Sequence, residues 1–305
     1  MIKDGGSSAG SRDAAGPRFA VQTLLLPGRD LAERFANAAA FGYDGVEVAV
    51  GPSFDLGERM AELRAASLES GLPVAAVCTH PMHDPLHPDP AEQRRRLTAL
   101  AQLLEQADEL GAAGVVSVPI RPGGAFPGAD PSTGADAFTP PESIDLDYAG
   151  RVLGEWAATL PDGQSRLFLE PLNRFEATLL NRVGQAADLA RAVGHPRVVA
   201  LADFFHMNIE EADMAEPVRS AGPLLGHVHI ADNNRLECGA GCIDFRPTLA
   251  ALAGIGYDGW ISLECFSLGG PRVTEPASES LPSSVESLRT IWRSVAGLAA
   301  TVPSS

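Results

Sequence analysis

Four cysteines in 305 residues (Cys78, Cys238, Cys242 and Cys265) are too few for the disulfide framework of a small secreted domain. Cys238 and Cys242 do not make a CxxC pair and no second pair accompanies them, which argues against a structural zinc site. Basic residues are also scarce: 23 Lys and Arg stand against 39 Asp and Glu, a formal net charge of −16. Such a surface repels phosphate backbones. The short basic run Arg94, Arg95, Arg96 lies in a helical pattern and reads as a solvated face, so no nucleic-acid partner is expected. No apolar run reaches the roughly 18 residues of a membrane span, and the opening MIKDGGSSAGSRDAAGPR lacks the apolar segment of a signal peptide. These absences point to a cytoplasmic protein with no membrane partner and a disordered leader over residues 1–18. No GxGxxG follows the first candidate strand, so an open dinucleotide-binding sheet loses its main support.

What is present is a βα rhythm. Hydrophobic residues make up 45% of the chain, enough for a substantial core. Eight short, nearly continuous apolar runs, at 19–25, 45–50, 73–79, 114–119, 166–171, 197–203, 225–231 and 260–265, have the character of parallel strands covered on both faces. Between them lie helical patterns such as GERMAELRAASLESG and PAEQRRRLTALAQLLEQADELG, several ending on a glycine where a helix C-cap is wanted. Eight such units over residues 19–305 predict an α/β fold, a single-domain (β/α)8 TIM barrel. The non-periodic stretch 121–145, after the fourth strand, is expected on the catalytic face as a lid or partner contact. A second such stretch, 267–284, precedes a last helix expected around Val285–Ala299.

Polar residues interrupt this pattern at the strand ends. Glu170 ends strand five in RLFLE, Asp203 ends strand six in VVALAD, His229 lies near the end of strand seven in GHVHI, and Glu264 ends strand eight in WISLE. In a barrel, four successive strands would point one oxygen or nitrogen ligand each at the same end. A carboxylate closing an apolar strand costs several kcal/mol unless a charge or metal compensates it. Two Glu, one Asp and one His suit one divalent ion of mixed O/N preference, with Mn²⁺ foremost and Co²⁺, Mg²⁺ or Zn²⁺ as alternatives. Glu47, ending strand two, is a further candidate for the same pocket. His80, His83 and His87 follow strand three; His80 is a candidate substrate contact, and the trio invites a second-metal reading.

The segments FLEPLNRFE (168–176), ADFFHMNIEE (202–211), HVHIADNNR (227–235) and SLECF (262–266) resemble the xylose-isomerase-like barrels of the sugar phosphate isomerase/epimerase family. Within that family they are most similar to the D-tagatose/D-psicose (ketose) 3-epimerases. The resemblance implies metal ligation by Glu170, Asp203, His229 and Glu264, proton transfer by Glu170 and Glu264, and substrate contacts at Glu176, His206 and Arg235. The chain departs from the pattern at Cys238 and Cys242, where relatives commonly carry Pro and His, beside the expected substrate.

The chemistry so implied is proton transfer at the carbon α to a carbonyl. A divalent ion polarises a carbonyl and its neighbouring hydroxyl, one carboxylate removes the intervening proton to give an enediolate, and a second returns it to the opposite face. A metal-dependent epimerase or isomerase acting on a small sugar is therefore expected, as a monomer or as a homodimer or homotetramer. The same abstraction also serves elimination, as in a dehydratase acting on an inosose or a deglycosidase subunit acting on a 3-oxo-glycoside. A phosphodiesterase of the endonuclease IV type is the reading from a different reaction class.

Overall fold

The computed structural model describes residues 16–119, 146–266 and 279–299. The expected leader (apart from residues 16–18), the loop 121–145 and most of the stretch 267–284 lie outside the described residues. Eight parallel strands close into one barrel in sequence order: β1 (Arg18–Gln22), β2 (Gly45–Ala49), β3 (Val74–Cys78), β4 (Gly114–Ser117), β5 (Arg166–Leu169), β6 (Val198–Asp203), β7 (Leu225–Ile230) and β8 (Trp260–Leu263). Pairing of β8 with β1, from Arg18 opposite Trp260 to Val21 opposite Leu263, completes the ring.

Between the strands run α1 (Leu31–Ala40), α2 (Leu56–Ser70), α3 (Pro90–Leu110), α4 (Leu146–Ala157), α5 (Val183–Val193), α6 (Phe204–Glu210), α7 (Ala215–Ala221) and α8 (Arg246–Gly254), and α9 (Leu281–Ala299) follows β8. Aspartates start several of them. The side chains of Asp30, Asp55 and Asp89 accept from backbone N–H groups in the first turns of α1, α2 and α3. Helices α2 and α3 stop at Gly71 and Gly111, whose φ angles of 74° and 69° belong to left-handed caps.

Two expected boundaries move by three or four residues, and the fourth, fifth and eighth strands each end two residues early. The first strand ends at Gln22 because the chain turns there, with the Leu25 N–H donating to the Gln22 carbonyl. The last helix begins at Leu281, four residues before the expected Val285.

Side chains alternate along each strand. Phe19, Val21, Val46, Val48, Leu167, Leu169, Val228, Ile230, Ile261 and Leu263 face outward into the main core shared with the helices. The complementary residues fill the barrel in small apolar groups: Ala20, Ala75 and Trp260 in one, and Ala76, Val116, Phe168, Val199 and Leu201 in another. Phe168 fits because β7 carries Gly226 beside it; a Cβ there would lie 3.0 Å from its ring. Strand alternation then sends Gln22, Glu47, Glu170, Asp203, His229 and Glu264 inward at the C-terminal end.

On the chain leading into β5, Asp108 of α3 locks the barrel. Its Oδ1 accepts from the N–H groups of Gln164 and Ser165 at 2.7 and 2.6 Å, and its Oδ2 from Arg197 at 2.7 Å. Arg197 in turn donates to the carbonyls of Ser165 and Pro161. Burial pushes the Asp108 carboxyl up, but these donors outweigh it and hold the group below its ordinary 3.8. The clamp therefore contributes at neutral pH and is lost as pH falls through the lowered folded value. Asp108→Asn should cost about 2 kcal/mol at pH 7. In thermal melts its gap from the parent chain should narrow as pH drops below 3.8; a gap constant with pH would contradict the clamp.

Candidate metal centre and sugar site

Glu170 and Glu264 stand one residue beyond β5 and β8, yet both are still held by the ladder. The Glu170 N–H donates to Ser117 O at 3.0 Å and the Glu264 N–H to Ile230 O at 3.1 Å. Asp203 is the last residue of β6 and the N-cap of α6. Its Oδ1 accepts from the N–H groups of Phe205 and His206 at 2.8 and 3.3 Å, so the cap turns Oδ2 towards the barrel axis. His229 presents Nδ1 to the same point, 3.1 Å from Glu170 Oε1 and 3.0 Å from Glu264 Oε2.

One nitrogen and three carboxylate oxygens from Glu170, Asp203, His229 and Glu264 thus lie within 4.8 Å of one another. This is a hard, mixed donor set of the kind that holds a divalent ion. Three of the four residues are no more than 2% exposed, and the Glu264 side chain is 13% exposed. The cluster opens to the outside on the Glu264 side.

Cations inside the site answer the crowding of carboxylates. Arg235 donates from Nη1 to Asp203 Oδ2 at 2.8 Å and from Nη2 to Glu264 Oε2 at 2.6 Å. Its guanidinium lies over the Phe205 ring at 4.4 Å and the Phe266 ring at 5.1 Å. The backbone of Arg235 is left-handed (φ 60°), fixed by its own N–H to Asp232 O and by the Phe266 N–H to its carbonyl.

The two catalytic candidates are shifted in opposite directions. Burial pushes Glu170 up to about 7 against the pull of His229. Glu264 is also pushed up by burial, but His229 and Arg235 together hold it far below the usual carboxylate range. His229 itself is raised well above an ordinary imidazole: burial opposes its charge, and Glu47, Glu264 and Glu170 favour it more strongly.

His206, 2% exposed, is oriented from the neighbouring loop. Its Nδ1 accepts from the Asn173 backbone N–H at 3.1 Å and sits 2.8 Å from Asn173 Nδ2, leaving Nε2 to point at Asp203 Oδ2 3.6 Å away. Burial lowers it to about 4, so at neutral pH it is a neutral ring with an N–H turned into the site. The loop after β5 is tied to α6 by Arg174, which donates from Nε and Nη2 to the two oxygens of Glu210.

The structure therefore brings seven of the sequence-derived residues together: Glu170, Asp203, His229, Glu264, His206, Arg235 and, 3.0 Å behind His229, Glu47. Two stand at the rim. Glu176 is exposed and accepts from Asn173 Nδ2 at 2.9 Å. His80 is exposed at the N-cap of the turn Pro81–His83 and lines a cavity of about 720 Å³ with Thr23, Gly51 and Arg29. Among the described residues, His80, His83 and His87 do not form a metal-ligating group. Cys238 is buried, Cys242 is exposed, and both are free thiols beside a separate cavity.

Gln22, His227, Asn173 and Glu210 escaped the reading of the sequence. His227 carried a usable signal, since it lies two residues before His229 and strand alternation puts both on one face. Gln22 did too, as the polar residue closing the inward face of β1.

Comparisons with known proteins agree with the fold. The profile of the family described as xylose isomerase-like TIM barrel matches residues 35–291. The 3-dehydro-D-guloside 4-epimerase of Escherichia coli K12 is 33% identical over 255 residues, 81% of this chain and 90% of that protein. The D-psicose 3-epimerase of Enterocloster bolteae is 30% identical over 248 residues, 78% of this chain and 77% of that protein. Among solved structures, 3-keto-D-glucoside 4-epimerase from E. coli superposes with a TM-score of 0.74 at 28% identity, covering 90% of this chain and 99% of that one. An L-ribulose 3-epimerase shares the fold, with a TM-score of 0.76 at 24% identity over 94% of this chain and 98% of that one.

A buried cluster of this kind is relieved by a cation. Adding Mn²⁺ should raise the melting temperature, by the equivalent of about 2.7 kcal/mol at a hundred times its Kd, and a chelator should reverse the rise. A melt indifferent to Mn²⁺, Co²⁺, Mg²⁺ and Zn²⁺ alike would speak against a metal centre.

Proposed function

The chain belongs to the xylose isomerase-like TIM barrel family, and from that premise we propose that it is a divalent-metal-dependent sugar epimerase that inverts the carbon next to a ketone. The observation that carries the reading is the convergence of Glu170 and Glu264, from strands on different sides of the barrel, on His229 Nδ1 at 3.1 and 3.0 Å. Glu170, Asp203, His229 and Glu264 would hold the ion, for which Mn²⁺ is the first choice. When bound, the ion supplies positive charge that acidifies the C–H between a carbonyl and its neighbouring hydroxyl.

The protein's own groups do the rest. Glu170 and Glu264, meeting at His229 Nδ1 from two different strands, are the two carboxylates placed to take the proton from one face and give it back on the other. Removal of the proton leaves an enediolate, and return from the other carboxylate inverts the centre. In the reverse direction the two exchange roles. His206 offers a neutral N–H donor to a sugar oxygen, and Arg235 offers a fixed cation beside the reacting carbon. Glu176 and His80, at the rim, would meet the more distant hydroxyls.

The substrate class follows from what the relatives have in common. A 3-dehydro sugar epimerised at C4 and a 2-ketose epimerised at C3 both change configuration beside the carbonyl. The similarity to a 3-dehydro-guloside epimerase also supports a second reading, elimination from a 3-oxo-glycoside through the same enediolate.

Incubation of the Mn²⁺-loaded protein in D₂O with free ketoses and 3-oxo-glycosides separates these. Epimerisation should incorporate deuterium at the carbon beside the ketone, with inversion and no released aglycone. Glu170→Gln and Glu264→Gln should each lower inversion by at least about a hundredfold. Release of the aglycone would favour elimination. Exchange at C1 of a ketose would indicate aldose–ketose isomerisation. Binding of three metal equivalents with DNA cleavage would sink the sugar reading.

A further inference from the structure

Beneath the metal-ligating group lies a second polar layer to which the epimerase chemistry assigns no role. Glu47 of β2 is completely buried, and among the described residues its ion-pair partners are His227 and His229 alone. Three nitrogens converge on its two oxygens. Gln22 Nε2 lies 2.9 Å from Oε1 and His227 Nε2 lies 2.8 Å from Oε2, while His229 Nε2 lies 3.0 Å from Oε1 and 3.2 Å from Oε2. A carboxylate can only accept, so each of these nitrogens must present a hydrogen. The Gln22 amide has its second hydrogen on Glu264 Oε1 at 2.8 Å, which fixes the orientation of the amide, because both neighbours are acceptors. The His227 ring is stacked on Phe168 at 4.9 Å and its Nδ1 is buried without a hydrogen-bond partner, so the bond to Glu47 alone sets its tautomer.

We propose that Glu47, held by His227 and Gln22, is the positioning residue of the metal centre: it keeps a proton on His229 Nε2, so that the Nδ1 lone pair faces Glu170, Asp203 and Glu264. Through Gln22 the same carboxylate sets the rotamer of Glu264, leaving Oε2 towards His229 and Arg235. A buried carboxylate is costly relative to an apolar residue, so its presence in an otherwise packed barrel interior is accounted for by this orienting work. Carboxylate–histidine–metal triads of this kind tune first-layer ligands, and their loss typically weakens metal affinity 10- to 100-fold. Gln in place of Glu47 loses the negative charge and one acceptor oxygen, and its amide N–H meets a donor unless His227 moves its proton to the unpartnered Nδ1.

The inference rests on the metal reading of the site, and the experiment separates the two. Zn²⁺ binding to the full chain is measured by competition with a chromophoric chelator, alongside the ¹⁵N shifts of the His229 ring in the Zn²⁺-loaded protein. Coordination through Nδ1 with a protonated Nε2 is expected, together with 10- to 100-fold weaker Zn²⁺ binding by Glu47→Gln at unchanged far-UV circular dichroism. Coordination through Nε2, or an affinity in Glu47→Gln within about threefold of the parent, overturns the proposal while leaving the metal reading intact. A second Zn²⁺ equivalent that disappears in Glu47→Gln overturns it too, since Glu47 would then be a ligand. If the parent binds no divalent ion, both readings fall. Should Glu47→Gln not fold, the ¹⁵N shifts of the parent protein decide.

Discussion

Four carboxylates, those of Glu47, Glu170, Asp203 and Glu264, are turned into one end of a closed barrel, and the surrounding structure exists to make that arrangement tolerable. Unpaired, such charges would cost several kcal/mol each. The protein meets them in layers. Gln22, His227 and His229 give N–H groups to Glu47 at the bottom; His229 links that layer to Glu170 and Glu264; Arg235 closes the top over Asp203 and Glu264. The set still holds more carboxylates than cations, which suits it to the divalent cation proposed for it.

The same constraint explains the loops. Arg235 reaches the carboxylates because a left-handed residue and a bond from Phe266 bend the chain after β7 back over the barrel mouth, where the guanidinium lies over the rings of Phe205 and Phe266. The loop after β5 is pinned by Arg174 to Glu210, and through Asn173 it orients His206. Function and stability are separated along the barrel. The Asp108–Arg197 clamp holds the chain that enters β5 and β6, while the chemistry gathers where the strands leave.

Much of the site was legible because a parallel barrel repeats. Each βα unit delivers one strand end to the same face, so a polar residue closing an apolar strand declares its position without further information. Glu170, Asp203, His229 and Glu264 were found in this way. The resemblance to ketose 3-epimerases added His206 and Arg235, which the fold brings to the cluster, and Glu176, which it leaves at the rim. His80 followed from its place after β3 and is likewise at the rim. The partners of Glu47 were harder to read, because hydrogen bonding among β1, β2 and β7 depends on closure of the ring.

By itself, the sequence determined the order of strands and helices, the outward apolar seam and the four polar strand ends, since these follow from periodicities of two and 3.6 residues along a local stretch. Only the tertiary structure decided which atom of each group faces the centre. Gln22 and Glu264 stand 242 residues apart and share a hydrogen bond because β8 pairs with β1. Register and ring closure, not local propensity, turn one edge of His229 to Glu47 and the other to Glu170 and Glu264.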